Sequence, residues 1–249
     1  MADTPTLRVG ALLTETWELV KAHPVTLLLP FALLGLIGGS GRSRGMYGAP
    51  PNMTPANWLA YLPFFALLGI VALAILVLLF LAYVIVSLMT TRAALVATRE
   101  NRELDFGEQW REIQPLFVPT IGTALLWGLA VVVGLILVIV PGLIVITALL
   151  PWVTVVVAEG KTGTDALRRA WDLTKGHRWP LFGSWFLVAL AGGIGSAILS
   201  PLPIVGGALG GIVNGACLAA NVALATLAYE HLRQDPSHHA AVVAQAPMP

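Results

Sequence analysis

The sequence predicts an all-α, polytopic membrane protein. It would hold six transmembrane helices in three hairpins, each hairpin preceded by a cytoplasmic, interfacial amphipathic helix. Three observations predict this. Of 249 residues, 57% are hydrophobic and 11% charged, with mean hydropathy +0.83; soluble domains run near 25% charged, so this chain has too few charges to cover a globule. Its uncharged runs are long enough for several crossings, at roughly 20 residues each. Its lysines and arginines fall almost wholly on one side of those runs.

The spans follow in order. Pro24–Gly39 is the first, short and carrying Pro30. Trp58–Thr91 is long and uncharged, with Trp58 and Tyr61 at one end, and could continue as helix to Thr98. Leu116–Ala158 has no charge and room for two spans; Pro141-Gly142 supplies a break, giving Leu116–Val140 and Leu143–Ala158. Trp179–Tyr229 is divided by Ser200-Pro201-Leu202-Pro203 into Trp179–Leu199 and Ile204–Tyr229. A count of five would leave the short first run lying in the interface.

Charge sets the orientation. With the N-terminus inside, 12 of the 14 Lys and Arg are cytoplasmic and only Arg42 and Arg44 are outside. Both termini are then cytoplasmic, in a bacterial inner membrane. Residues 1–23 carry Asp3, Glu15 and Glu18 and lack the form of a signal peptide, so the first apolar run is expected to be retained. With Ala2 and a final APMP, no lipidation motif is expected. The loop Ser40–Asn57 reads as outer and irregular. Residues 1–233 form one membrane domain, and 234–249 a disordered cytoplasmic tail.

A threefold pattern precedes the hairpins. Leu7–Ala22 (LRVGALLTETWELVKA), Leu104–Gln114 (LDFGEQWREIQ) and Asp165–Lys175 (DALRRAWDLTK) are each short, charged and centred on a tryptophan. Residues at i, i+4 and i+7 share a helix face. Those faces are Leu13/Trp17/Val20, Phe106/Trp110/Ile113 and Leu167/Trp171/Thr174. Asp105 with Glu108 resembles a capping box, Thr162 with Asp165 a weaker one, and Gly176 a C-terminal cap. The pseudo-repeats run over 6–99, 104–160 and 162–232. Trp17, Trp110 and Trp171 are the expected interfacial anchors, since an indole is apolar yet carries a polar N–H. Lys161, Arg168, Arg169, Lys175 and Arg178 are candidate contacts for anionic lipid, although positive-inside topology alone also explains the cluster.

The run LVIVPGLIVITALLPWVTVVVAEGKTGTDALRRAWDLTKGHRWPLFGSWFLVAL (Leu137–Leu190) resembles the membrane domain attached to some bacterial glycerophosphoryl diester phosphodiesterases, and the related YciC-like six-span proteins. The shared features are a Pro-Gly turn between spans, Glu-Gly, an Ala-Leu-Arg-Arg-Ala-Trp helix and a following span. The resemblance implies a membrane module and carries over no catalytic residue. Where such a module belongs to a phosphodiesterase, the chemistry lies in a separate barrel of roughly 250 residues, for which this chain has no room.

The chain's own residues give no catalytic set. There is no Walker loop, HExxH, CxxC or Gly-x-Ser-x-Gly. His23, His177 and His231 have no second ligand at metal-binding spacing, and His238-His239 adjoin in the tail. Glu159 and Glu230 sit at the inner ends of the fourth and sixth spans, where solvation is the simpler expectation. Cys217 is the single cysteine and reads as a small core filler. The net charge of +1 points to no nucleic acid. No ionisable group lies in the central part of a span, which argues against an ion-coupled carrier. Gly207, Gly211 and Gly215 recur every four residues, with Asn214 and Asn221 seven apart, a pattern for close helix packing or a polar intramembrane site.

The expectation is therefore a non-enzymatic scaffold or accessory module that organises lipids or partner proteins, a second copy among them, without cofactor or metal. A carrier of lipid or another apolar solute is the alternative; a phosphodiester-cleaving enzyme rests on family naming alone.

Overall fold

Helices account for nearly every residue that the computed structural model describes, namely 9–39, 61–102, 105–137, 139–199, 201–202 and 206–234. They are α1 (Val9–Ala22), α2 (Pro24–Gly39), α3 (Leu62–Glu100), α4 (Phe106–Ile113), a 3-10 turn at Gln114–Leu116, α5 (Phe117–Leu137), α6 (Ile139–Ala148), α7 (Trp152–Glu159), α8 (Gly163–Leu173), α9 (Arg178–Leu199) and α10 (Gly206–Gln234). Among the described residues five helices are long and apolar enough to cross a membrane, or six if α1 and α2 together make one bent span. The loop Ser40–Asn57, Trp58 and residues 235–249 lie outside the described residues, and Gln234, read as the first tail residue, ends α10.

Local chemistry explains the element ends. Asp105 caps α4, its carboxylate accepting the Gly107 N–H at 3.1 Å. Thr162 occupies the same place before α8 but makes no side-chain cap. Asn101 and Gly160 end α3 and α7 in the left-handed region. Gly176 lies in that region too, at φ +85°, and turns the chain from α8 into α9. Between α1 and α2 the chain bends by 93° at His23-Pro24.

Two boundaries differ from the sequence reading. The Pro141-Gly142 pair does not break the helix: α5 ends at Leu137 and α6 begins at Ile139. Pro141 sits in the first turn of α6, where a helix has no use for its N–H. Gly142 is instead a contact, because a Cβ on Gly134 would lie 3.1 Å from its Cα. The second difference is a break within Leu143–Ala158, where a turn at Leu149–Pro151 separates α6 from α7. Pro151 cannot donate to the helix before it, and it starts the next one.

Burial is concentrated at one end of the assembly. A core cluster joins Val84 and Leu88 of α3, Ile113 of α4, Trp152 and Val155 of α7, Ala166 and Ala170 of α8, and Tyr229 of α10. Further clusters join α1 to α9 and α10 through Leu12, Leu181 and Leu227, and α1 to α2, α3 and α10 through Val20, Leu27, Ala94 and Ala223. Away from that end, α10 stays packed against α2 and α9, but much of α3, α5 and α9 is bare. Every residue of α3 from Leu62 to Leu79 is exposed, and so are Leu125, Leu129, Val132 and Ile136 of α5 and Leu187, Leu190, Ile194 and Ile198 of α9. The 39 residues of α3 span about 58 Å at 1.5 Å per residue. Its apolar first half thus stands apart from the packed second half. The packed end also carries the short helices and nearly all the described charges.

Candidate functional site

The packed end gathers the ionisable groups of the described residues. Glu159 ends α7, with its side chain only 17% exposed. Arg169 Nε, one turn before the end of α8, donates to both carboxylate oxygens at 3.1 and 3.2 Å. Lys161 Nζ lies 2.8 Å from Oε2. Tyr229 Oη of α10 donates to Oε1 at 3.0 Å. One half-buried carboxylate therefore joins three elements and is compensated by two cations. Glu230, the next residue, turns the other way and accepts from Arg99 Nε of α3 at 2.8 Å. Arg92 of α3 reaches Glu112 of α4 at 2.5 Å.

The sequence expectation of two solvated carboxylates is corrected here: Glu159 and Glu230 neither meet nor stand in solvent. Each is occupied by arginine, because the helix ends bearing them are crowded by neighbouring elements. Tyr229 and Arg99 were not singled out in the sequence. Nothing local marks them, since each partner is far away in the chain.

Helix α8 is fixed at both ends. Its first N–H, from Gly163, donates to Thr123 Oγ1 of α5 at 2.7 Å. Past its last turn, Thr174 Oγ1 donates to the Ala148 carbonyl of α6 at 2.9 Å. Ala166, Ala170 and Leu173 face inward, and the alanines allow a close approach. Trp171 is half-buried and stacks on Arg178, whose guanidinium carbon lies 4.0 Å from the ring centroid. In α1 the buried residues are Leu12, Thr16 and Val20, and Trp17 is 61% exposed. In α4 they are Gln109 and Ile113, while Phe106 and Trp110 are exposed. The protein-facing stripe of α1 and α4 is thus rotated about one residue from the tryptophan face read in the sequence. A bulky indole would hold two helices apart at these crossings, so it stands outside them.

The five candidate lipid contacts separate. Lys161 and Arg169 are committed to Glu159, and Lys175 is 2.7 Å from Asp172. Arg168 is exposed and has no ion pair among the described residues. Arg178 lies against Trp171, its Nε and Nη2 covered and without an acceptor among the described residues.

The glycine run of α10 faces α2. A Cβ on Gly35 would collide with the Gly211 carbonyl, and one on Gly215 with the Phe31 carbonyl; only glycine permits backbones this close. Gly207 is half-buried on the same helix. The opposite side of α10 meets α9 through residues the sequence reading did not name. Ser196 Oγ donates to the Gly210 carbonyl at 2.7 Å, and a Cβ on Gly192 would lie 2.8 Å from Cys217 Cβ. The asparagines do not bridge helices as expected. Asn221 Nδ2 donates to the Cys217 carbonyl of its own helix at 3.1 Å, leaving Oδ1 buried without a partner, and Asn214 is exposed. α10 is already at backbone contact with α2 and in close side-chain contact with α9, so no cross-helix amide bond is needed to hold it.

Comparisons with protein-family models, with curated proteins and with solved structures find nothing that matches this chain.

Proposed function

We propose that the chain is a non-enzymatic, multi-pass membrane module, a scaffold that holds lipid or a partner protein at its charged end. In this reading α2, α3, α5, the α6–α7 pair, α9 and α10 are six spans. The packed end lies at the cytoplasmic face of a bacterial inner membrane, and α1, α4 and α8 lie along that face. The right-angle bend between α1 and α2 and the outward Trp17 and Trp110 support the interfacial placement. The distribution of burial supports it as well. Apolar side chains gain little by meeting each other in lipid and much by leaving water, so packing gathers where water reaches. The resemblance of Leu137–Leu190 to the phosphodiesterase-associated membrane domain agrees with a module of this kind.

The observation that carries the scaffold reading is the backbone contact between α2 and α10 at Gly35, Gly211 and Gly215. A carrier needs helices that part, and these are locked. The base carboxylates Glu159 and Glu230 are likewise occupied by structural partners, which favours no catalytic role for them. The test is reconstitution of the full chain into liposomes with a fluorescent phospholipid and an impermeant quencher. Protein-containing vesicles should lose the same fraction of signal as empty ones. A second phase that takes the inner-leaflet signal would replace the scaffold with a lipid translocator.

A further inference from the structure

Two cavities lie side by side between α6 and α9. The first, about 470 Å³, is lined by Leu143, Ile144 and Thr147 of α6, by Trp179 and Phe182 of α9, and by Lys175, Gly176 and Arg178 in the turn before it. The second, about 510 Å³, shares Leu143 and Phe182 and continues along α9 past Phe186 and Ala189 to Ala197. Together they form one groove with cations at one end and apolar walls elsewhere. From Phe182 to Ala197 the helix rises about 22 Å, enough to cover the ~15 Å half-thickness of a hydrocarbon core.

The cationic end lacks its anion. Lys175 keeps an exposed contact with Asp172. Arg178 has none: among the described residues it forms no ion pair, and its covered Nε and Nη2 have no acceptor. Its charge is held in place by the face of Trp171 at 4.0 Å and by the turn at Gly176, with φ +85°. A half-buried guanidinium is costly without a counter-ion and suits the oxygens of a phosphate. Trp179 at the mouth is 82% exposed, as befits a ring at headgroup depth.

We propose that this groove binds one anionic phospholipid of the cytoplasmic leaflet. Its phosphate would lie at Arg178 and Lys175, and one acyl chain along α9 between Phe182 and Ile194. The proposal rests on the reading of the chain as a membrane module and names a ligand for its charged end.

The test is native mass spectrometry of the full chain in detergent with phosphatidylglycerol or phosphatidylcholine, alongside thermal unfolding of each variant. The wild type should retain one phosphatidylglycerol at about tenfold lower lipid than it needs for phosphatidylcholine. Arg178→Gln should abolish that preference, and Ala189→Phe, which fills the groove without touching charge, should weaken retention by about tenfold. Arg168→Gln should change nothing. Equal retention of the two lipids by the wild type would overturn the proposal without any variant. So would an equal effect of Arg168→Gln, which would make the attraction a general surface charge. Competition by millimolar inorganic phosphate with no effect of Ala189→Phe would also overturn it, in favour of a soluble phosphate. None of these results moves lipid between leaflets, so the scaffold reading stands or falls separately on the liposome assay.

Discussion

Tyr229 Oη donates to Glu159 Oε1 at 3.0 Å, joining two residues 70 positions apart and fixing α10 to the end of α7. The bond sits where the core cluster meets the charged layer, and Tyr229 is fully buried. It makes Glu159 a junction, since Arg169 and Lys161 hold the same carboxylate.

Tyr229→Phe removes the hydroxyl and leaves Glu159 with its two cations. The expected loss is about 1 kcal/mol, the net worth of one such hydrogen bond. Glu159→Gln strands Arg169 and Lys161 instead. It should cost about 2 kcal/mol, below the figure for a fully buried pair because both cations keep some solvent. Unfolding in detergent, followed by tryptophan fluorescence, should rank the two variants in that order; the reverse order would remove Glu159 from the centre of the network.

The pair His231–Glu15, 2.6 Å apart and about half exposed, looks similar and should behave differently. Water competes for both groups, so Glu15→Gln should change stability by less than about 1 kcal/mol. The same unfolding measurement checks it, and a loss as large as that of Glu159→Gln would show that α1 is held by charge instead of by Leu12 and Val20.

The glycine contacts predict a sharp contrast. Gly35→Leu drives a side chain into the Gly211 backbone and should abolish the monodisperse folded peak in size-exclusion chromatography. Gly69→Ala, where nothing lies within 4 Å of the new Cβ, should be neutral or stabilising by up to about 1 kcal/mol through helix propensity. Equal tolerance at the two positions would mean that α2 and α10 are not in contact in the membrane.

Topology is open to labelling with the one native cysteine removed. In a Cys217→Ala background, Arg168→Cys should react with an impermeant maleimide in inside-out vesicles and remain unlabelled in right-side-out ones. Labelling from the outer side would invert the proposed orientation.

Much of the architecture could be read from the chain. The uncharged runs located the helices long and apolar enough to cross a membrane, because that hydrophobicity is carried residue by residue along each segment. The start of α4 was likewise marked by Asp105, whose preference acts over a few residues, whereas Gly176, read as the cap of α8, lies beyond its actual C-cap Thr174. Pro141 misled for the reverse reason: the same residue that breaks a helix also suits its first turn, and only the position of the neighbouring turn distinguishes the two.

The candidate site was legible in part. Gly211 and Gly215 were visible as a packing face, but their partners Gly35 and Phe31 lie on a helix some 180 positions earlier. The five basic residues of the third unit read alike in sequence. Tertiary structure commits Arg169 and Lys161 to Glu159 and leaves Arg178 against Trp171 at the mouth of a groove. The sequence by itself determined which segments are helical and apolar, since propensity and hydrophobicity belong to each residue and its near neighbours. Which charges are neutralised, which tryptophans face outward and which helices touch were decided only by the fold. Those properties depend on pairs of residues brought together from distant parts of the chain, and no single segment carries them.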